Sequence, residues 1–140
     1  MSVRFFIDTN VFVYSLETAD QKRSKISEDL ITEAVKSGRG VVSYQVVQEF
    51  LHLALRRFTK RMTVMDAEQY LNAVFQPLLS VHSSPALYVD ALHLHGRYQL
   101  AWYDSLIVAA AMQANCEVLY SEDLQHGQRF GKMQVRNPFL

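Results

Sequence analysis

One short segment near the start of the chain limits the fold more than any other. Residues 3–7 are mainly β-branched and aromatic, which predicts a buried β-strand. The strand ends at Asp8, Thr9 and Asn10, and a second apolar stretch, residues 11–16, follows directly. Each of these polar residues is a good helix N-cap, and on this segment alone capping is the favoured interpretation. However, ligands of α/β sheets bind beyond the carboxyl ends of the strands, so Asp8 also lies where a site would form.

The rest of the chain alternates between helical and strand patterns. Apolar residues at helical spacing predict helices at residues 21–37, 45–58, 63–80, 85–96 and 104–115, with Gly38 or Gly40 as the left-handed residue after the first and Gly96 as an interruption or end of the fourth. Short apolar runs predict strands at residues 41–44, 81–82, 117–120 and 133–135. Such alternation indicates an α/β fold with a parallel sheet flanked by helices. The order of the strands does not follow from these patterns.

Composition limits the class of protein. With 140 residues, of which 49% are apolar, the chain is expected to form one domain spanning residues 1–140. Fourteen basic and fourteen acidic residues give zero net charge, which argues against coating nucleic acid by bulk charge but permits a local basic face. Cys116 is the sole cysteine, so an internal disulfide is excluded. No signal peptide or run of about 18 apolar residues is evident, and we expect a cytoplasmic protein that does not enter a membrane.

Four acids fall at corresponding positions of the predicted elements. Asp8 follows the first strand, Glu49 lies one turn into the helix after the second, Asp104 opens the apolar helix, and Asp123 follows the strand at residues 117–120. Strand ends and helix starts meet at one edge of a parallel sheet, so the three aspartates can converge there. Converging carboxylates raise one another's pKa unless a cation neutralises them. Oxygen ligands suit Mg²⁺ or Mn²⁺.

Each acid also has a structural interpretation. Asp104 could be a first-turn acid that the helix dipole stabilises by about 0.3–1 kcal/mol, and Asp123 could begin a turn. Glu49 shares a helix face with Gln45 and Arg56, opposite the apolar face, where a solvated glutamate is expected. Taken singly, each acid is more easily explained as structural. Four acids at four corresponding positions favour a common site.

Four segments resemble, in order and at similar spacing, the successive motifs of the PIN-domain family, and in particular the VapC-like toxins of bacterial toxin–antitoxin pairs. They are residues 6–11 (FIDTNV), 43–50 (SYQVVQEF), 103–111 (YDSLIVAAA) and 119–124 (LYSEDL). The ending Asn137-Pro138-Phe139 is also similar. The resemblance implies a PIN-like three-layer α/β/α sandwich with a central, mostly parallel sheet. It further implies an Mg²⁺- or Mn²⁺-dependent endoribonuclease.

The resemblance also suggests roles for individual residues. Four acids match the family's acidic quartet: Asp8, Glu49, Asp104 and Asp123. Metal ions held by the three aspartates would activate a water for attack on phosphorus, leaving 5′-phosphate and 3′-hydroxyl ends. Glu49 has a longer side chain and is expected to orient that water. Ser121 matches the family's Ser/Thr position, and both Asn10 and Ser121 are expected to hold carboxylates or waters in place.

The remaining candidates are less specific. Four basic residues continue from the helix that carries Glu49, and either bind the RNA backbone or form a solvated helix end: Arg56, Arg57, Lys60 and Arg61. Trp102 and Tyr103, just before Asp104, are assigned to the core rather than to base stacking. Glu122, next to Asp123, has no assigned role.

Other classes of protein fit less well. Haloacid-dehalogenase-like phosphatases need a second aspartate where this chain has Asn10, and a response-regulator receiver needs a lysine after the strand that ends at Tyr120. Two alternatives stay open: a housekeeping RNA-processing enzyme of the same fold, and a non-catalytic module whose acidic pocket receives a basic peptide or which binds RNA. Nuclease activity that a chelator abolishes would separate an enzyme from a binding module.

Two protein partners are expected. The helices at residues 21–37 and 63–80 carry more apolar side chains than one thin domain must bury, among them Ile26, Leu30, Tyr70, Leu71 and Phe75. We therefore expect a homodimer with a two-fold helical interface, as the resemblance also implies. The resemblance further implies an antitoxin whose C-terminal part lies across the active-site groove. An acidic pocket is complementary to an arginine, which can pair with carboxylates in a bidentate fork.

Overall fold

A mostly parallel sheet forms the centre of the fold in the computed structural model, which describes residues 3–140. Its six strands lie in the order β3-β2-β1-β4-β6-β5, and every neighbouring pair is parallel except β5 and β6. The strands are β1 (Phe5–Ile7), β2 (Gly40–Ser43), β3 (Leu79–Val81), β4 (Val118–Tyr120), β5 (Arg129–Phe130) and β6 (Met133–Arg136). The predicted α/β class is confirmed.

Helices cover both faces of this sheet. They are α1 (Thr9–Leu16), α2 (Gln21–Ser37), α3 (Tyr44–Arg56), α4 (Val64–Tyr70), a π-helical turn (Leu71–Phe75), α5 (Gln76–Leu78), α6 (Pro85–Tyr98) and α7 (Trp102–Gln113). Parallel crossovers are right-handed, so the helices between β1 and β3 lie on one face, whereas α6 and α7 return along the other. Residues 105–111 of α7 are all buried, as the apolar pattern predicted.

The direction of the chain across the sheet changes between β1 and β4. From β1 the chain moves to β2 and β3 on one side, and it then crosses back to β4 on the other side of β1. At such a switch point the connections leave the two strands in opposite directions, which opens a crevice at their carboxyl ends. Asp8 follows β1 and residues 121–123 follow β4, so both segments border this crevice.

Local sequence signals account for most helix ends. Thr63 and Asp66 form a capping box at the start of α4, and Ser84 caps α6. Gly38 ends α2 in the left-handed region with φ of 70°. The prediction that Gly96 interrupts or ends α6 was wrong, because the helix continues to Tyr98 and the left-handed residue is Gln99. A glycine inside a helix weakens it but need not end it.

Gly40 has a different role from the one considered for it. It begins β2, and a Cβ built there would lie 2.3 Å from the Cβ of Ala34 in α2. Only glycine lets the strand and the helix approach this closely. The position is therefore set by packing rather than by backbone conformation.

The structure also shifts the start of one predicted strand and adds a strand that was not predicted. The helix predicted at residues 63–80 ends at Leu78, and β3 begins at Leu79 instead of Val81 because it pairs with β2. The two-residue strand β5 was not predicted. It exists through its antiparallel pairing with β6, a tertiary contact that leaves no alternation in the sequence.

Some of the apolar residues proposed for a dimer interface pack in the core of one chain instead. Phe75 is fully buried, and Tyr70 stacks on Phe50 with ring centres 4.8 Å apart. The most exposed large apolar residues of α4 are instead Val64 and Met65, at 79% and 69% exposed. Within residues 3–140, no helix has the length and apolar character needed to span a membrane.

Candidate active site

The hydroxyl of Ser121 connects two of the candidate acids. The amide of Asp8 donates to the carbonyl of Tyr120, which brings the ends of β1 and β4 together. Ser121 Oγ then donates to Asp8 Oδ2 at 2.8 Å and accepts from the amide of Asp123 at 3.2 Å. Ser121 is itself buried. It is therefore positioned to fix the carboxylate of Asp8 relative to the backbone of Asp123.

Asp8 is both a helix cap and a member of the cleft. Its Oδ1 accepts from the amide of Thr9 at 2.7 Å, so the capping interpretation holds. Its side chain is also buried, with only 6% of the residue exposed. Burial, the largest effect, raises its pKa to about 7, and the charges of Asp123 and Glu49 add to the rise, whereas the hydrogen bonds from Thr9 and Ser121 oppose it. Capping alone would not require such burial.

All four acids line one cleft with a volume of about 120 Å³. Glu49 is exposed but is held by Thr9, whose hydroxyl donates to Glu49 Oε1 at 2.8 Å. Burial, followed by the charge of Asp123, raises the pKa of Asp104 in the first turn of α7. The pKa of Asp123 is raised in the same way by burial and then by Glu122. The cleft thus concentrates negative charge in a partly desolvated place.

The donor set of the cleft suits a hard cation. Among residues 3–140, no three side chains of the metal-binding types are arranged to ligate one ion together. However, a carboxylate oxygen that accepts one hydrogen bond keeps a further lone pair, and Asp104 and Asp123 are only partly buried. The raised pKa values reflect desolvation and repulsion that a divalent cation would relieve. The chemistry of the donor set therefore fits a divalent cation.

This electrostatic strain predicts how stability depends on pH. The pKa of the Asp8 carboxyl is about 7 in the fold against an ordinary value of 3.8, so its contribution to stability is present below about pH 4 and is lost as pH rises through 7. Asp8→Asn cannot lose a proton, and in chelator its stability relative to wild type should rise with pH by a few kcal/mol, at about 1.4 kcal/mol per pKa unit. Urea unfolding at acidic and alkaline pH measures this difference. If the difference in stability between Asp8→Asn and wild type is the same at acidic and alkaline pH, the prediction is wrong.

Asn10 contacts the loop after β4. Its Nδ2 donates to Glu122 Oε1 at 3.2 Å and approaches Asp123 Oδ2 at 3.4 Å. The amide of Asn10 therefore contacts carboxylates of this loop, and its role beside a metal site stays a prediction. The contact with Asp123 is long for a hydrogen bond, so Glu122 is the main partner of this amide.

Glu122, which had no assigned role, links the loop after β4 to α1 and α2. Its Oε2 lies 3.1 Å from Arg23 Nη1 in α2, and Tyr14 donates to its Oε1. The Arg23 guanidinium also lies over the rings of Tyr14 and Phe139, 5.2 and 5.3 Å from their centres. This cluster joins α1, α2, the loop after β4 and the C-terminal segment. Sequence patterns did not single out Arg23, because its partners are distant along the chain.

The four basic residues near the end of α3 do not reach the cleft. All four are exposed, none lines the cleft, and none forms an ion pair with a described residue: Arg56, Arg57, Lys60 and Arg61. Their positions at and after the end of α3 agree with a solvated helix end. Binding of RNA by this cluster stays a prediction.

The wall formed by α3 and α7 differs from expectation. Tyr103, assigned to the core, is 66% exposed and lines the cleft, whereas its neighbour Trp102 packs against the core. Gln45, expected on a solvated face with Glu49, is 6% exposed and donates from Nε2 to the carbonyl of Tyr103 at 3.2 Å. The first turn of α7 covers the first turn of α3, and neither helix alone reveals this contact.

The cleft that contains the four acids is not the larger of the clefts on this molecule. A larger cleft, with a volume of about 420 Å³, lies beside β4 and β6 and includes Arg129, Lys132 and Arg136. None of the four candidate acids lines it. The smaller cleft is the candidate active site because it combines a buried carboxylate, three further acids and the switch point of the sheet.

Comparisons with known proteins agree with this location. A family model described as the PIN domain matches residues 5–129. The fold is similar to that of VapC20 of Mycobacterium tuberculosis, described as a sarcin-ricin loop cleaving toxin, with a TM-score of 0.62, 18% identity and coverage of 84% of this chain and 88% of that one. No curated protein sequence matches significantly.

Two solved complexes are similar over nearly the whole chain. The structure of FitAB bound to an IR36 DNA fragment has a TM-score of 0.68 at 20% identity, covering 97% of this chain and 96% of that one. A toxin–antitoxin complex from Klebsiella pneumoniae has a TM-score of 0.63 at 16% identity, covering 95% and 96%. At these identities the likeness concerns the fold.

Proposed function

Because this chain belongs to the PIN-domain family, we propose that it is a metal-dependent endoribonuclease and the toxin of a toxin–antitoxin pair. The observation that carries the proposal is that four acids from four separate parts of the chain line one cleft. One structural neighbour is described as a toxin that cleaves the sarcin-ricin loop, and another is described as a toxin–antitoxin complex. These descriptions support RNA as the substrate and an antitoxin as the partner.

Three aspartates would hold the cation: Asp8, Asp104 and Asp123. When bound, Mg²⁺ or Mn²⁺ would supply positive charge to the scissile phosphate and lower the pKa of water. Attack of that water on phosphorus, with the 3′ oxygen as the leaving group, would leave 5′-phosphate and 3′-hydroxyl ends. Neutralisation by the cation also favours the ionised form of Asp8, whose pKa is raised to about 7 in its absence. The carboxylate that is costly to ionise in this fold would therefore be one that binds the ion.

The other polar residues of the cleft position these groups. Ser121 holds Asp8 and the backbone of Asp123, and Thr9 holds Glu49 through its hydroxyl. Glu49 stays exposed at the cleft, where its carboxylate would orient the attacking water and receive its proton. Asn10 would restrain the loop after β4 through Glu122.

Purified protein incubated with total RNA tests the proposal. We expect cleavage with Mg²⁺ or Mn²⁺ and none after a chelator is added, with 5′-phosphate on the new ends. Restored cleavage on adding excess metal would show that the chelator did not simply unfold the protein. A protein that binds RNA but never cuts it would support the binding-module alternative.

An apolar surface supports a homodimer. A groove of about 260 Å³ between α3 and α4 is lined by Leu51, Leu55, Val64, Ala67 and Leu71, and its rim is exposed. Exposed apolar area of this kind marks an interface. We propose that the two-fold contact uses α4 instead of the core residue Phe75. Sedimentation equilibrium at micromolar concentration should give twice the chain mass, and a monomer would contradict the proposal.

A further inference from the structure

The exposed ring of Tyr103 is not explained by the fold or by the acids. Tyr103 lies in the first turn of α7, next to Asp104, and its side chain borders the cleft. Within residues 3–140 the ring makes no stacking or edge contact with another aromatic ring and no contact with a cation. Both the position and the exposure of this ring, at 66%, suit a planar ligand.

Two further tyrosines extend the same surface. Tyr44 begins α3, and Tyr88 of α6 is 40% exposed. Burial and a hydrogen bond with Tyr88 raise the pKa of Tyr44 to about 12, and the nearby phenol of Tyr103 contributes to the rise. Like any tyrosine, Tyr44 is uncharged at neutral pH and does not repel phosphate. We call these three residues the tyrosine shelf.

A buried oxygen beside the shelf lacks a donor. Gln45 Nε2 donates to the carbonyl of Tyr103, whereas Gln45 Oε1 is buried and has no hydrogen-bond partner among the described residues. Gln45 lines the cleft. A buried acceptor without a partner is costly, so it points to a ligand that brings a donor. A nucleotide offers such donors on its sugar hydroxyl and on its base.

We propose that Tyr103 and Gln45 form a nucleoside subsite, in which an unpaired RNA base stacks on the ring of Tyr103 and the same nucleotide donates to Gln45 Oε1. The inference rests on the proposed function and adds two residues of this chain that would hold one nucleotide. Proteins recognise unpaired RNA by stacking bases on aromatic side chains, and a base can reach the ring only when it is unstacked.

Binding of a short single-stranded RNA tests the subsite in an Asp8→Asn background, where RNA is not expected to be cut. With Mg²⁺ present, adding Tyr103→Leu should weaken binding about 5- to 150-fold, the range of one base–aromatic stack. Tyr103→Phe retains the ring and should recover most of the affinity. Met112→Ala is the control, because Met112 is 39% exposed near the other end of α7 and lies outside the cleft.

RNAs that lack one base at a time identify the stacked nucleotide. Removing one particular base should weaken RNA binding by the Asp8→Asn protein as much as adding Tyr103→Leu does. In the protein that carries both substitutions, removing that base should not weaken binding further. The subsite is wrong if Tyr103→Leu does not change the affinity for RNA. It is also wrong if removing each base weakens binding equally with and without Tyr103→Leu. If the unaltered protein cleaves RNA, the nuclease proposal survives that result. If it does not cleave RNA, the nuclease proposal fails independently of Tyr103.

Discussion

Asp8→Asn should reduce RNA cleavage by more than about 100-fold and leave the protein folded. Replacing groups that merely orient metal ligands costs about 10–100-fold, so loss of a ligand's charge should cost more. The fold should survive because asparagine has nearly the same volume and is also a good N-cap for α1. In chelator at alkaline pH the variant should even be more stable than wild type, since the raised pKa of Asp8 destabilises the ionised protein. Cleavage rates at saturating Mg²⁺ measure the effect.

The matched control is the same substitution at an exposed aspartate. Asp29 lies on α2, is 63% exposed in its side chain and pairs only with Lys25 among the described residues. Asp29→Asn should cleave RNA at the wild-type rate. Asp104→Asn should be as inactive as Asp8→Asn, because both remove charge from the same cleft. Wild-type cleavage by either cleft variant would refute the assignment of the metal site.

The convergence of the acids could be predicted because it depends on local patterns. An apolar strand followed by an aspartate places that aspartate at the carboxyl edge of a parallel sheet, whatever the order of the strands. Asp8 and Asp123 meet in this way, and the apolar character of α7 was enough to bury that helix and orient Asp104. The family motif also identified Ser121, which joins Asp8 to the backbone of Asp123 by hydrogen bonds.

The wall of the cleft could not be predicted because it depends on which helices touch. A helical wheel puts Gln45 and Glu49 on one polar face, but only Gln45 is covered by the first turn of α7. The same contact leaves Tyr103 at the surface and Trp102 against the core. Arg23 and Glu122 pair across 99 residues for a similar reason. Such contacts are tertiary, and their partners carry no mutual signal in one sequence.

The toxin proposal predicts a large effect on living cells. Expression of this chain alone should arrest bacterial growth, because an active ribonuclease whose cleft is open to solvent would cut cellular RNA continuously. Asp8→Asn should abolish the arrest, whereas Asp29→Asn should retain it at the same level of soluble protein. Growth curves and viable counts after induction measure the outcome. A toxic Asp8→Asn variant would mean that the arrest does not come from cleavage.

The antitoxin should reverse this arrest by acting on the cleft itself. An arginine of the partner can pair with two carboxylate oxygens at once, and the charge of Asp8, Asp104 and Asp123 would favour it in the absence of metal. Co-expression of the product of the neighbouring gene should therefore restore growth, and excess Mg²⁺ should weaken the complex with the purified protein by competition for the same carboxylates. A housekeeping RNA-processing enzyme predicts the opposite result. If the wild-type chain is soluble and cleaves RNA in vitro, yet its overexpression causes no growth defect, the toxin proposal is wrong and the housekeeping alternative stands.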